Sequence, residues 1–230
     1  MIFNEKTKVW RYMSYARFVW LLQEKMLWYS RADLLGDPWE ISLAGEQLAH
    51  VLSTAPISQI GELPRESTIQ RAERIIKMWR MQTFVNCWRV SDNESHALWQ
   101  IYCPSSEGVA IQTTLGKLEG SIGKLYPVTY ETPGTQKKTP QREDLVTHKR
   151  PMFEYEQEVR SFFFVDSEPL DSKVLGRGIK WEFDIYLEAI YVHPDADRSF
   201  MDTVATTVKT YAPSLKDKLI WSAMTAPPPF

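Results

Sequence analysis

Met26-Leu-Trp-Tyr-Ser30 runs directly into Arg31-Ala-Asp-Leu-Leu-Gly-Asp-Pro-Trp-Glu40, and the fold is decided where these two segments meet. The first is a short apolar run with strand character. The second is a polar turn, because Gly36 tolerates positive φ and Pro38 fixes φ. Arg31, Asp33, Asp37 and Glu40 cluster where the strand ends. Opposite charges at a strand end suit a binding site. They equally suit a solvated loop, where surface ion pairs carry little energy.

Upstream, Lys8-Val-Trp-Arg-Tyr-Met13 alternates apolar and polar residues and reads as another strand. Ser14 is a helix N-cap. Phe18, Leu21 and Leu22 lie at helical spacing in the segment running to about Lys25. The chain therefore opens strand, helix, strand, charged turn. Downstream, Ser42 to Leu52 reads as a helix. A segment with Pro56, Gly61 and Pro64 follows, then a helix from about Arg65 to Met81, so 41–82 forms a helical insertion.

Beyond it, Phe84 to Arg89 is β-rich, and Asp92 is placed to cap a helix carrying Leu98, Trp99 and Tyr102. Gly108 to Thr114 and Lys124 to Tyr130 read as strands, and 131–142 as a loop. Glu156 to Val165, Gly178 to Asp184, Ala189 to His193 and Leu219 to Ser222 are further strand candidates. Gly176-Arg-Gly178 reads as a turn, and Asp195 to Tyr211 as the last helix. The Pro-rich tail 224–230 is expected to be mobile. No repeat or linker divides the chain. The expectation is a single α+β domain over 1–230, a mixed, mostly antiparallel sheet with surrounding helices and the helical insertion.

With 43% hydrophobic and 24% charged residues, the composition is that of a globular protein, and a net charge of −2 argues against a broad nucleic-acid surface. Cys87 and Cys103 show no disulfide or metal pattern, and no two histidines have metal-ligand spacing. The N-terminus has no signal-peptide pattern, and no run is long enough to span a membrane, so a reducing cytoplasm is the expected location. Whether Cys87 is a nucleophile or a buried thiol stays open at this point.

Glu156-Gln-Glu-Val-Arg160 carries the most chemistry. On a strand, residues two apart share a face, so Glu156, Glu158 and Arg160 would form one charged row. A carboxylate beside another carboxylate can have a raised pKa and act as acid or base.

Taken in order, Arg11-Tyr-Met-Ser14, Leu27 to Asp33, Asp37-Pro-Trp-Glu40, Cys87-Trp88, Asn93-Glu-Ser95, Leu98-Trp99 with Tyr102, Gly108 to Ile111, Lys149-Arg150 with Phe153, and Glu156 to Arg160 resemble the bacterial family labelled domain of unknown function 2971. The resemblance spans about residue 8 to residue 223. It implies a toxin or antiphage role, because members are similar to genes in mobile elements and defence regions. The chain departs from the family pattern at Ile41, where the family tends to show Gly.

An Arg on the first strand, a Tyr or Ser on the second and a Glu-x-Glu near a late strand is also similar to the ADP-ribosyltransferase superfamily, which binds NAD⁺ between two small sheets. That resemblance implies that Arg11 contacts the NAD⁺ phosphates or ribose. It implies that Tyr29 or Ser30 supports the nicotinamide side, and that Glu158 stabilises the ribosyl cation. Arg31, Asp33 and Asp37 have no place in that scheme; with the charged turn included, the catalytic candidates are Glu158, Glu156 and Arg31. The binding candidates are Arg11, Tyr12, Tyr29, Ser30, Asp33, Asp37, Glu40, Trp99, Tyr102, Lys149, Arg150 and Arg160. NAD is the expected ligand and no metal is expected. Two alternatives stand beside this: a non-enzymatic sensor or protein-binding module, and a Mg²⁺ phosphodiesterase using Asp33, Asp37, Glu40, Glu156 and Glu158 as oxygen ligands.

Overall fold

In the computed structural model, the described residues are 4–43, 46–54, 67–132, 135, 140–166, 171 and 173–225. The expected segment with Pro56, Gly61 and Pro64, the Pro133-Gly134 part of the loop and most of the Pro-rich tail lie outside them. The fold is mixed α and β. A mostly antiparallel sheet is surrounded by helices.

The opening strand, helix, strand is as expected: β1 (Lys8–Ser14), α1 (Tyr15–Glu24) and β2 (Met26–Arg31). Phe18, Leu21 and Leu22 of α1 are buried in the main core. Lys25, in the left-handed region at φ 55, ends the helix and turns the chain into β2. In the 41–82 region, α2 (Glu46–Thr54) is followed by α3 (Thr68–Met81). Ser67 and Gln70 form a reciprocal capping box at the start of α3. Next come β3 (Thr83–Val90), α4 (His96–Tyr102) and β4 (Gly108–Thr114). The cap of α4 is Ser95 rather than Asp92, its hydroxyl accepting from Leu98 N.

Several assignments differ from the sequence reading. Leu115–Ile122 is a helix, α5, with Leu118 fully buried and Thr114 as its cap, although Gly116 and Gly120 weaken its intrinsic propensity. Tyr126–Pro127 and Thr129–Tyr130 form two short strands, β5 and β6, ahead of α6 (Arg142–Val146) and β7 (His148–Lys149). Second, the Glu-x-Glu run is split. Glu156 ends a 3-10 turn (Pro151–Glu156), Gln157 is left-handed at φ 45, and only then does β8 (Glu158–Phe164) begin. Third, Gly176-Arg-Gly178 belongs to a strand, β9 (Gly176–Lys180), rather than a turn. A Cβ at Gly176 would lie 2.4 Å from the Trp28 ring, so this strand approaches β2 only because the side chain is missing. Where alternation suggested a strand to Asp184, the chain turns into α7 (Phe183–Tyr186). The chain closes with β10 (Ala189–Val192), α8 (Arg198–Tyr211) capped by Asp197, and β11 (Leu219–Trp221).

The sheet runs β11-β10-β4-β1-β3-β2-β9, with β8 on the other edge of β3 and β5 beside β8. All these pairings are antiparallel except β10 with β11. One irregularity positions the site. β1 and β2 pair with β3 at its opposite ends. The register is Val9↔Val90 and Trp10↔Arg89 for β1, and Ser30↔Val85 and Arg31↔Phe84 for β2. Between these contacts the two strands splay apart into a fork, facing Asn86, Cys87 and Trp88. No helix among the described residues is long and apolar enough to cross a membrane.

Candidate functional site

The fork opens into a cleft of two adjoining lobes. The first encloses about 140 Å³, and its lining includes Arg11, Tyr12, Arg17, Ser30, Arg89 and Tyr102 together with Glu40, Lys149, Glu156, Glu158 and Arg160. The second, about 430 Å³, shares Arg11, Tyr12, Arg17 and Ser30 with it and is otherwise walled mainly by apolar side chains.

The carboxylate wall is a sealed network. Arg160, 1% exposed, forms two ion pairs, with Nη1 2.6 Å from Glu40 Oε2 and Nη2 2.6 Å from Glu158 Oε2, neither contact being a hydrogen bond. Its Nε donates to Glu158 at 2.8 Å, and Nη1 also donates to the Val146 carbonyl at 2.7 Å. Lys149 donates to Glu156 and stands 3.6 Å from Glu40 and 3.8 Å from Glu158. Three carboxylates thus share two cations in a buried space, and three adjacent negative charges there are costly. Burial and the neighbouring Glu158 charge push Glu156 up to about 7, against the pull of Lys149. Burial also works to raise Glu158, but Arg160 and Lys149 outweigh it and hold that carboxyl below its ordinary value. One carboxylate is therefore fixed as an anion and the other is poised to carry a proton near neutrality.

The opposite wall has the reverse character. Arg11 donates Nη2 to the Trp28 carbonyl at 2.9 Å, bridging the fork beside Asn86, which donates to the same oxygen at 2.8 Å. Its Nη1 is buried without a hydrogen-bond partner, and no carboxylate among the described residues pairs with it. Burial lowers its pKa. Ser30 sits beside it on β2.

The charged turn after β2 closes the carboxylate end. Asp37, 1% exposed, accepts from Arg150 Nε at 3.1 Å on each carboxylate oxygen and from the Trp39 amide at 3.0 Å, with Arg150 Nη2 2.8 Å from Oδ1. Burial opposes its ionisation, but the bond to Arg150 outweighs this and lowers its pKa. Arg80 holds the Pro38 carbonyl at 2.7 Å. Ile41 is buried with φ 51, a left-handed conformation costly for a β-branched residue.

Several candidates have other roles. Arg31 pairs with Asp33 at 2.6 Å and donates to the Asp171 and Val174 carbonyls, tying β2 to the approach of β9; it lines neither lobe. Asp33 lines neither lobe either, so the structure does not bring Arg31 and Asp33 together with the candidates that line the cleft. Tyr29 is buried and donates to Ser161 at 3.1 Å. Trp99 is fully buried, with Nε1 on Glu94 at 3.0 Å and its ring edge-on to Tyr12. Asp37 and Arg150 pair with each other behind the lining. The five acids of the metal alternative therefore do not converge, since Asp33 and Asp37 are committed to different arginines. Cys87 lines the cleft, but burial and Glu158 push its thiol up to about 12, so it stays protonated. Arg17 and Arg89 line the cleft and were not candidates; as isolated basic residues in a helix and a strand they carry no local signal.

No family model, curated protein or solved structure matches this chain.

Proposed function

We propose that the cleft binds NAD⁺ and cleaves its nicotinamide–ribose bond, passing the ADP-ribosyl group to water or to an acceptor. The observation that carries this reading is two opposite charges lining one cavity: Arg11, which has a partnerless buried Nη1 and no carboxylate, and Glu158, held ionised; Ser30 lines the same cavity. NAD⁺ has the complementary polarity, with a negative pyrophosphate and a ribose carbon that becomes positive as nicotinamide leaves.

In this mechanism Arg11 pairs with a phosphate and Ser30 holds the nicotinamide side. Glu158, kept anionic by Arg160 and Lys149, stands beside the developing positive charge at the anomeric carbon. The glycosidic electron pair departs with the nicotinamide nitrogen. The attacking oxygen forms the new bond to that carbon, and its proton passes to Glu156, which is near half-ionised at neutral pH, and then to solvent.

The test is nicotinamide release from NAD⁺ by purified protein beside Glu158→Gln. Release is expected to fall by about 10²–10³-fold in the variant. Because Glu158 also balances buried cations, circular dichroism of the variant accompanies the assay. Equal release from both proteins would overturn the assignment. A second reading, binding without turnover, is favoured by the grip of Arg160 on Glu158, which leaves that carboxylate already neutralised by a guanidinium. Saturable NAD⁺ binding with no nicotinamide released would decide for it.

A further inference from the structure

The wider lobe is not needed for bond cleavage, yet it is built in a consistent way. Trp20 of α1 and Trp28 of β2 stand edge to face, their ring centroids 5.5 Å apart. Strand β9 backs both rings, its glycines providing the room: a Cβ at Gly176 would meet Trp28 at 2.4 Å and one at Gly178 would meet Trp20 at 3.1 Å. Met26 and Leu27 complete the wall. Leu34 and Leu175, which also line the lobe, are 50% and 57% exposed. Apolar side chains left open around a concavity have their most favourable state when a flat, apolar ligand covers them. Arg11 and Arg17 also line the lobe. Ring-sized apolar space with two guanidinium groups in its lining matches a planar base tethered to phosphate.

We propose that this lobe is a subsite for a purine nucleoside diphosphate, the base lying against Trp20 and Trp28 and the phosphates reaching Arg11 and Arg17. The proposal rests on the dinucleotide reading above and deepens it. The substrate spans both lobes, Arg11 sits at its pyrophosphate, and selectivity between dinucleotides and mononucleotides arises in the wider lobe.

Calorimetric titration of the full chain with ADP and, separately, with nicotinamide mononucleotide tests this. ADP is expected to bind on its own. Leu34→Asp and Leu175→Asp, both at exposed positions, are expected to weaken ADP by about tenfold or more while changing nicotinamide mononucleotide less than about twofold, because the added carboxylate repels the diphosphate and wets the base site. Binding of nicotinamide mononucleotide without ADP would overturn the subsite and leave the cleavage reading standing. So would ADP binding indifferent to both aspartates. Failure of NAD⁺, ADP and nicotinamide mononucleotide alike would overturn the cleavage reading and the subsite with it.

Discussion

At one end of the cleft Lys149 and Arg160 are enclosed by Glu40, Glu156 and Glu158, and each cation has at least one carboxylate within hydrogen-bond reach. At the other end Arg11 has a backbone carbonyl, a buried unpaired Nη1 and no carboxylate. Both ends bury charge, but only the first neutralises it internally. A buried ion network in which each cation has a carboxylate beside it mainly fixes geometry, while a buried cation without a counter-ion stores a cost that an anionic ligand relieves. The two ends therefore divide the work, rigidity on the carboxylate side and ligand capture on the arginine side. They should respond oppositely to mutation.

The largest effect is expected from Arg160→Met. It leaves Glu40 and Glu158 facing each other with only Lys149 nearby, and removal of one partner from a buried pair costs about 3–5 kcal/mol. Urea unfolding monitored by tryptophan fluorescence measures it. A loss below about 1 kcal/mol would mean that the network is solvated and the contrast between the two ends is false.

The proton on Glu156 sharpens the comparison through pH. Its folded pKa of about 7 is raised above the ordinary 4.5, so the folded state binds that proton more tightly than the unfolded state. Its contribution to stability is fully present below pH 4.5 and is lost as pH rises through 7. Glu158, whose folded pKa is lowered, acts oppositely and loses its contribution only in more acid solution. Between pH 5 and 8 the free energy of unfolding should therefore fall, by an amount on the order of 2 kcal/mol for this group, and the midpoint of thermal unfolding with it. Glu156→Gln should flatten that slope. An unchanged slope in the variant would assign the proton to another group.

How far these features could be read from the sequence depends on their range. The opening β1-α1-β2 was legible because each element repeats its own period within a few residues, and Glu158 and Arg160 do share a strand face as alternation requires. Glu156 reaches the same cluster by a different route, since the left-handed Gln157 breaks the strand that would have aligned it. The charged turn was legible as a cluster but not as pairings. Arg31 takes the nearest acid, Asp33, whereas Asp37 and Glu40 find Arg150 and Arg160 more than a hundred residues away. Nothing local distinguishes these outcomes. β9 was hidden because glycines that serve close packing look the same as glycines that serve a turn, and α5 because two glycines dilute its helical signal.

Ile41 tests the turn that carries Glu40 into the network. Its left-handed backbone costs about 1–2 kcal/mol, while its buried side chain contributes about 2–5 kcal/mol. Ile41→Gly relieves the first and forfeits the second, so a net loss of about 1–2 kcal/mol is expected in urea unfolding. A net gain would show the turn to be held under strain by the charged network rather than by its own packing.

The smallest effect on stability is expected at the other end. Arg11→Met removes one hydrogen bond to the Trp28 carbonyl, worth about 1 kcal/mol, and also removes a desolvated charge that lacks a counter-ion. Asn86 still donates to that carbonyl, so the fork keeps a bridge and the two terms nearly cancel. Stability should stay within about 1 kcal/mol of the parent protein, while NAD⁺ affinity falls by at least about tenfold through loss of the phosphate partner. Paired urea unfolding and calorimetric titration read both quantities on one preparation. If Arg11→Met unfolds the protein as readily as Arg160→Met does, Arg11 is a structural strut and the fork is a closed joint. If it leaves stability alone and abolishes binding, the missing counter-ion is the one that the ligand brings.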